Sequence, residues 1–327
     1  MCAYSNRLLL KCELLIVACS FNWVAHADQL YTLGSNKSSS SDDIILRTVY
    51  FDYKSHLRSY FWPYQEQTSD SWDWGVYLQR ATGEAAAIPY SSKLATISLG
   101  WHHSSNSYLI GTVGNHRLLP DDAQEEESKN NYELEAHVGA VETGHFYYHI
   151  ADDYVYQFSL QPAGIKEYLS ARRQTLGVRW NPARIVRLEE SMSQWNLNDD
   201  NLRRSAKFDA YMRLSSEWVW LGLSYEKMGY HDKKADYWSP QTFRSFALVF
   251  ESSIPLGEKI SASLAGSVSS IKEDNFPQGR GSALSLGLDL KPAKAFTIRF
   301  SSSQLKSQQE SSQWSERSYR VSINGLF

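Results

Sequence analysis

The stretch Ala283–Ser301 reads ALSLGLDL, then KPAK, then AFTIRFS. Leucine fills every second position of its first part, and Phe, Ile and Phe alternate with Thr and Arg in its last part. A period of two residues is typical of a β-strand with one apolar face and one polar face. The stretch therefore predicts two such strands, joined by the short connector 291–294.

The same alternation continues along most of the chain. It recurs in 72–79, 95–101, 132–138, 206–214, 219–226, 246–250, 260–268 and 319–327. The segments are about ten residues long, whereas strands of soluble β-proteins most often have five or six, and strands that span a bilayer need about nine to eleven. This length favours a membrane barrel, in which the apolar face contacts lipid and the polar face lines the lumen. A secreted soluble β-protein is the alternative.

The aromatic residues and the connectors also favour a membrane barrel. Tyrosine and tryptophan recur near segment ends, as expected for the two interfacial girdles of such a barrel; examples are Trp62, Tyr64, Trp101, Tyr108, Tyr156, Trp180, Trp195 and Trp238. Short connectors (103–106, 291–294) alternate with long polar ones (119–131, 230–240, 271–281, 304–316). We therefore expect an all-β, transmembrane, antiparallel up-and-down β-barrel of about 14–16 strands. Its long loops are expected to be extracellular and its short turns periplasmic, in the outer membrane of a Gram-negative bacterium.

The end of the chain carries a further pattern. Tyr319, Val321, Ile323 and the terminal Phe327 stand at alternating positions. This arrangement resembles the C-terminal signal that the outer-membrane assembly machinery recognises in barrel precursors. The resemblance implies that this machinery and the lipid of the outer membrane are partners of the chain.

Composition excludes several classes of protein. The chain has 327 residues, a net charge of −3 and 21% charged residues, so it lacks the basic excess of a nucleic-acid-binding protein. Its three cysteines are Cys2, Cys12 and Cys19. The rest of the chain therefore has no disulfide, thiolate metal site or cysteine nucleophile. No phosphate-binding glycine loop or zinc-type spacing is present, and neither a cofactor nor a metal is expected.

The N-terminus predicts export. Arg7 and Lys11 precede the apolar run 14–18, and Ala25-His26-Ala27 has the small-x-small pattern of a signal-peptidase site. We expect a signal peptide over 1–27, a polar lead over 28–43 and the barrel over 44–327. A lipoprotein signal with lipidation at Cys19 is the alternative, because residues 16–19 resemble a lipobox.

One short motif suggests catalysis. His103 and Ser105 lie two residues apart, on one face of a strand end. A histidine base beside a serine hydroxyl is the beginning of a nucleophilic pair, and Asn115 is the candidate for the third group that orients the imidazole. The stretch His103–Asn106 resembles the His-x-Ser-Asn stretch of outer-membrane phospholipase A and of the lipid A deacylase. A serine- and asparagine-rich hairpin turn is the alternative reading.

A longer stretch resembles a transport family. Tyr237, Trp238, Ser239 and Pro240, followed by the strand 246–250, are similar to the Tyr-aromatic-Ser-Pro element in the C-terminal barrel of bacterial exopolysaccharide export porins (cellulose, poly-N-acetylglucosamine or Pel type). The similarity extends over about ninety residues from Ala206. It implies a barrel without the family's N-terminal helical repeats, a polysaccharide chain as cargo and a separate periplasmic export subunit as partner.

The polar faces supply candidates for the lumen. Residues expected to point inward along the substrate path are Glu133, Glu135, Asp209, Arg213, Trp218, Trp220 and Glu226. Aromatic rings beside carboxylates suit a sliding sugar chain, although bulky side chains that merely fill the interior are equally compatible. Three hypotheses follow: a channel or export porin, an acyl esterase, and a structural or adhesive barrel without transport.

Overall fold

The computed structural model describes residues 28–40, 43–58, 71–85, 88–104, 107–121, 126–140, 143–155, 165, 167–214, 218–235, 237–293, 296–309 and 312–326. The predicted signal peptide, Ser105 and Phe327 lie outside these residues. Within the described part of the chain, no helix has the length and apolar character needed to cross a bilayer.

The described chain forms sixteen strands in one closed antiparallel sheet. The strands are β1 Asp28–Ser40, β2 Asp43–Arg58, β3 Ser71–Ala85, β4 Ile88–Ser104, β5 Ser107–Pro120, β6 Glu127–Ala140, β7 Gly144–Tyr154, β8 Ser170–Ala183, β9 Val186–Leu197, β10 Leu202–Arg213, β11 Val219–Tyr230, β12 Phe243–Pro255, β13 Ile260–Glu273, β14 Gly279–Ala293, β15 Phe296–Gln309 and β16 Ser312–Leu326. Each strand pairs with its neighbours in sequence, and β1 pairs with β16. This closed up-and-down barrel, with a strand number inside the expected range, confirms the predicted fold class.

The barrel closes through a strand that the sequence pattern does not reveal. We expected a polar lead over 28–43, but residues Asp28–Ser40 form β1, so the predicted barrel start at residue 44 is wrong. β1 pairs with β2 on one side and with β16 on the other, from Asp28↔Leu326 to Ser40↔Trp314. Large side chains stand at its outward positions Tyr31 and Leu33, but Ser35 and Lys37 follow them, so hydrogen bonding to two neighbouring strands, and not a sustained apolar alternation, defines this strand.

The two faces of the sheet differ as a membrane barrel requires. Large apolar side chains on the outside remain exposed in the isolated chain; Val113 and Val138 have exposed fractions of 64% and 66%. Their neighbours Thr112 and His137 point inward, because successive side chains of a strand alternate between the two faces. Because water contact with so many apolar side chains is unfavourable, a lipid environment accounts for this outer surface.

β1 begins and β16 ends at the same rim of the barrel, here called the terminal rim; the opposite end is the distal rim. The connections at the terminal rim are 59–70, 105–106, 141–143, 184–185, 214–218, 256–259 and 294–295, and those at the distal rim are 41–42, 86–87, 121–126, 155–169, 198–201, 231–242, 274–278 and 310–311. The prediction of a long connection over 304–316 is wrong, because β15 continues as a polar strand to Gln309 and β16 begins at Ser312. A long connection, 59–70, also lies at the terminal rim.

Candidate functional site: the lumen

Near the terminal rim, aromatic rings and carboxylates line the inner wall of β3–β6. His102 Nε2 lies 3.0 Å from Asp73 Oδ2, and its ring centroid lies 5.5 Å from that of Tyr108. Tyr108 stacks on His137 with centroids 4.4 Å apart and an interplanar angle of 16°. Glu135 accepts a hydrogen bond from the Tyr108 hydroxyl (2.9 Å) and pairs with His137 Nε2 (2.9 Å). These contacts form a continuous row of rings across three strands.

The row continues onto β7. His137 stacks on Tyr147 at 5.6 Å and contacts the ring of His145 at 5.3 Å. Two residues beyond Tyr147 on β7, toward the distal rim, His149 Nε2 lies 2.7 Å from Glu133 Oε1. All these side chains share the inward face, because the residues between them, such as Phe146, are exposed on the outside.

On β8–β12 the row is continued by arginines and two further rings. Arg187 pairs with Glu189 (3.0 Å) and with Glu251 (2.6 Å), and Glu189 also accepts a contact from Arg179 (2.7 Å). The Arg187 guanidinium lies 4.0 Å from the ring centroid of Tyr211 and 5.1 Å from that of Trp220. We call the whole set the lumenal arc: Asp73, His102, Tyr108, Glu135, His137, His145, Tyr147, Arg179, Arg187, Glu189, Tyr211, Trp220 and Glu251.

The wall opposite the lumenal arc is lined by small residues. Most inward positions of β13–β15 carry small residues, although Ile271 and Leu305 nearer the distal rim are larger. The small ones, here called the smooth wall, are Ser261, Ser263, Ala265, Ser267, Ser269, Ala283, Ser285, Gly287, Ser301 and Ser303. Ser263 and Ser285 are exposed although they face inward, so this side of the lumen is open to solvent. Near the terminal rim, Arg299 and Asp289 form a two-point ion pair at 2.6 and 2.7 Å.

Four inward tyrosines lie flat against the wall because a glycine stands directly across from each. The pairs are Tyr50↔Gly34, Tyr90↔Gly83, Tyr147↔Gly177 and Tyr211↔Gly222. A Cβ added at Gly177 would lie 2.2 Å from Cζ of Tyr147, well inside ordinary contact. The missing side chain therefore makes room for the ring on the wall and keeps it out of the lumen.

The arginines of the lumenal arc are paired with its carboxylates. Arg179 contacts Glu189, and Arg187 contacts Glu189 and Glu251, all within 3.0 Å. The other two carboxylates of the arc, those of Asp73 and Glu135, each contact an imidazole, which carries a charge only when protonated. Paired charges that are partly removed from water cost less than isolated ones. The arc thus combines aromatic surfaces with hydrogen-bonding groups and with arginines that already have carboxylate partners.

At the distal rim, residues of two connections pack onto the inner wall. Ile165, between β7 and β8, packs with Ala85, Tyr90, Leu118 and Tyr154. A second cluster joins Tyr237, from the connection 231–242, to Val155, Leu169, Ala171 and Leu197. Ile165, Leu169 and Tyr237 therefore cover parts of the inner wall between β3 and β9 near the distal rim.

Hydrogen bonds fix the second connection. The Tyr237 hydroxyl accepts a bond from Asn201 Nδ2 (2.7 Å) and donates one to Asp199 Oδ2 (3.0 Å). Asn201, almost fully buried, also binds the backbone of Asp232 through both its amide nitrogen and its carbonyl oxygen. Burial raises the pKa of the Tyr237 hydroxyl, and the Asp199 carboxylate raises it further against the opposing effect of Asn201. The hydroxyl therefore stays protonated and keeps its donor role at physiological pH.

Beneath the first cluster lies a serine–histidine–aspartate row that sequence reasoning missed. His116 contacts Ser92 Oγ through Nε2 (2.8 Å) and Asp153 Oδ1 through Nδ1 (2.6 Å). This order of groups matches a nucleophilic triad, but Ser92 and His116 are each only 1% exposed. A substrate cannot reach a nucleophile buried to this degree, so the row ties β4, β5 and β7 together. Alternating patterns cannot reveal it, because the three residues lie on three separate strands.

The structure places the residues proposed for the lumen as follows. Glu133, Glu135, Asp209, Arg213, Trp220 and Glu226 all point inward, as their exposed neighbours show. Glu135 and Trp220 belong to the lumenal arc, and the Arg213 guanidinium lies 5.8 Å from the Trp220 ring. Glu226 lies across from Lys207, six residues along β11 from Trp220, so ring and carboxylate do not meet there. Trp218 precedes β11 and is exposed at the terminal rim.

The residues proposed for an esterase are not brought together. His103 shares the outward side with Trp101, whose ring it contacts at 6.1 Å. Asn115 also points outward but pairs with Ala95, eight residues along β4 from His103, which corresponds to about 26 Å. The prediction that Asn115 orients the imidazole of His103 is therefore wrong. Ser105 lies outside the described residues.

The structure also shows where the residues of the export-porin-like motif and of the C-terminal pattern lie. Within the export-porin-like motif, Tyr237, Ser239 and Pro240 are buried inside the connection 231–242, and Trp238 donates to Glu273 at 3.2 Å. Ser239 Oγ accepts a bond from the Lys234 amide at 2.7 Å. The motif thus shapes the distal rim and does not line the open lumen. Tyr319, Val321 and Ile323 are exposed on the outer face of β16.

Comparisons with known proteins add the following. No protein-family model and no curated protein matches the sequence. Among solved structures, the chain is similar to a structure described as "Bacterial polysaccharide outer membrane secretin", with a TM-score of 0.69 and 12% identity over 92% of this chain and 98% of that one. It is also similar to OccK7 (OpdD) of Pseudomonas aeruginosa, with a TM-score of 0.50 and 11% identity over 92% and 99% of the two chains. At these identities the similarity shows the fold, that of an outer-membrane barrel.

Proposed function

We propose that this barrel is an outer-membrane channel that exports an uncharged or sparsely charged polysaccharide. The observation that carries the proposal is the lumenal arc, a row of rings and carboxylates at the entrance near the terminal rim. Flat aromatic faces suit the C–H faces of sugar rings, and carboxylates and imidazoles accept and donate hydrogen bonds to hydroxyls. The smooth wall opposite consists of small side chains, which leave room for a moving chain.

The electrostatics favour a neutral cargo. The arginines of the arc are already paired with Glu189 and Glu251, so a highly charged polymer would have to break these pairs to be bound. A neutral chain can slide past them while it exchanges hydrogen bonds with water and with the wall. The similarity in fold to a polysaccharide secretin supports the same cargo class.

The proposal extends to the surroundings of the barrel. We infer that residues 1–27 direct export and are removed, with ordinary cleavage after Ala27 and not lipidation at Cys19. The terminal rim then faces the periplasm, where a separate export subunit delivers the polymer to the lumenal arc.

The test is single-channel recording with sugars. The purified protein is inserted into planar bilayers, and hexamers of β-1,4-linked glucose and of β-1,4-linked N-acetylglucosamine are added from the side of the terminal rim. Sugar-dependent interruptions of the current are expected. In Tyr108→Ala their duration should fall about fivefold, because a stacking contact contributes about 1 kcal/mol. Tyr225→Ala, which removes a tyrosine from the outer face, is the matched control and should leave the interruptions unchanged.

A barrel without transport is the second candidate, and the packing of Ile165, Leu169 and Tyr237 on the inner wall near the distal rim favours it. It predicts no conductance in the wild type and none after the connection 231–242 is cut. A conducting channel that no sugar interrupts would instead indicate a general diffusion pore and would refute the export proposal.

A further inference from the structure

Three groups of three neighbouring cations stand on the outer face of the barrel. The groups, together called the outer cation belt, are Arg317, Lys37 and Arg47 on β16, β1 and β2; Arg80, Lys93 and Arg117 on β3, β4 and β5; and Lys227, Arg244 and Lys272 on β11, β12 and β13. All nine are exposed. In each group the middle residue is the direct cross-strand partner of the other two, as in Arg80↔Lys93↔Arg117.

The belt lies at one level, where the apolar outer surface ends on the distal side. On β12 the outward residues run from Leu248 through Phe246 to Arg244, toward the distal rim. On β11 they run through Leu223 and Tyr225 to Lys227. The other strands of the belt repeat this order, with the cation two or four residues beyond the last large apolar or tyrosine side chain. The belt therefore borders the lipid-facing surface instead of being scattered over it.

Like charges at directly opposed positions of a sheet are destabilising. Neighbouring strands are about 4.8 Å apart, so each group holds three cations within about 10 Å. Local contacts relieve part of the repulsion: Glu84 faces Arg47 from β3, Arg80 has a contact of its own, Arg117 Nε donates to Asn115, and Lys272 Nζ donates to the Phe276 carbonyl. Six like-charge pairs at one level are therefore best explained by an anionic ligand that binds there.

The position defines the ligand. A group bound at this level has its anionic part beside the cations and its apolar part against the outward leucines and phenylalanines. Phosphate suits both side chains, because arginine binds it through two parallel N–H groups and lysine binds it as a point charge. Given the outer-membrane location, we propose that the belt binds the phosphate groups of phosphorylated lipids in the outer leaflet. Binding there would fix the depth of the barrel and hold its distal rim outward.

The test compares charge-matched variants in lipid nanodiscs. The belt variant carries Arg80→Gln, Lys93→Gln and Arg117→Gln, and its control removes three exposed cations at the terminal rim through Arg184→Gln, Lys259→Gln and Lys291→Gln. Binding of hexa-acylated lipid A is measured by native mass spectrometry, beside lipid A from which both phosphates have been removed. Each cation near a membrane surface contributes about fivefold, so the belt variant should bind phosphorylated lipid A about 100-fold more weakly.

The control should bind as the wild type does, and the dephosphorylated lipid should bind all three proteins weakly and equally. Unchanged binding by the belt variant would overturn the proposal. If soluble polyphosphate protected the detergent-solubilised wild type from heat as well as phosphorylated lipid A does, the assignment to a lipid would be overturned. If the triple variant does not fold, Lys93→Gln alone should weaken binding about fivefold. Because conductance is recorded separately, failure of the belt is distinguishable from failure of the export proposal.

Discussion

The pairing of Tyr147 with Gly177 makes a prediction about the shape of the lumen. In Gly177→Ala the new Cβ would lie 2.2 Å from Cζ of Tyr147, whereas ordinary contacts begin at 3.4 Å. The ring must therefore retreat by about 1.2 Å or more, and the only free direction is into the lumen. The movement also disturbs the stack of Tyr147 on His137.

The energetic consequence follows from two opposing effects. Alanine in a strand interior is about 0.5–1 kcal/mol better than glycine, and overpacking costs about 1–3 kcal/mol. We therefore expect Gly177→Ala to lower the free energy of unfolding by about 1 kcal/mol. When Tyr147→Ala has already removed the ring, Gly177→Ala should raise the free energy of unfolding by about 0.5 kcal/mol.

The assay is a double-mutant cycle with two readouts. Urea unfolding in lipid vesicles measures the coupling between the two positions, and single-channel recording measures the open lumen. Conductance should fall in Gly177→Ala and recover in the double variant. Gly111→Ala is the control, since a Cβ there meets nothing within 4 Å. An equal change of stability in both backgrounds, or unchanged conductance in Gly177→Ala, would refute the reasoning.

Three further outcomes are expected at the rims. Tyr237→Phe removes the hydrogen bond to Asp199, so limited proteolysis should cut the connection 231–242 while the barrel stays intact; resistance equal to the wild type would contradict the packing described. Burial raises the pKa of the Tyr237 hydroxyl above its usual value of 10.0, so the stabilisation is complete below pH 10 and is lost as the pH rises further. Protease sensitivity should therefore increase above pH 10 in the wild type, and a similar increase in Tyr237→Phe would show that another group is responsible. Arg187→Gln leaves Glu251 without its cation and Glu189 with Arg179 alone, so the reversal potential in a KCl gradient should shift toward cation selectivity, and no shift would show that these carboxylates do not face the ion path.

The sequence predicts most of the barrel because lipid imposes a simple rule on its outer face. Segments such as 283–301 and 206–214 alternate strictly, since each outward position must be apolar within the bilayer. The rule no longer applies where strands extend beyond the lipid. The distal part of β1 and the polar ends of β15 and β16 lie there, and only pairing with neighbouring strands defines them. Their sequences, rich in serine and glutamine, resemble loops.

The candidate site was accessible from sequence only in part. Alternation indicates which residues point inward, so Glu135 and Trp220 can be identified as lumenal. Which inward residues meet depends on the register between strands, and the sequence does not contain it directly. The stack of Tyr108 on His137 and the row through His116 are consequences of that register. The glycines across from the tyrosines are a signal that could have been used, because a large ring opposite a glycine often lies over it.

The central claim is that the polar face of each strand surrounds water and that the apolar face contacts lipid. It is tested most directly on β13 with single cysteines, in a chain whose Cys2, Cys12 and Cys19 are replaced by serine. Ser263→Cys and Leu264→Cys are reacted with a membrane-impermeant maleimide in proteoliposomes, and separate samples are probed with spin-labelled lipid tails. The account predicts rapid maleimide labelling at position 263 alone and contact with lipid tails at position 264 alone. Equal labelling of both positions, or the reverse pattern, would contradict it.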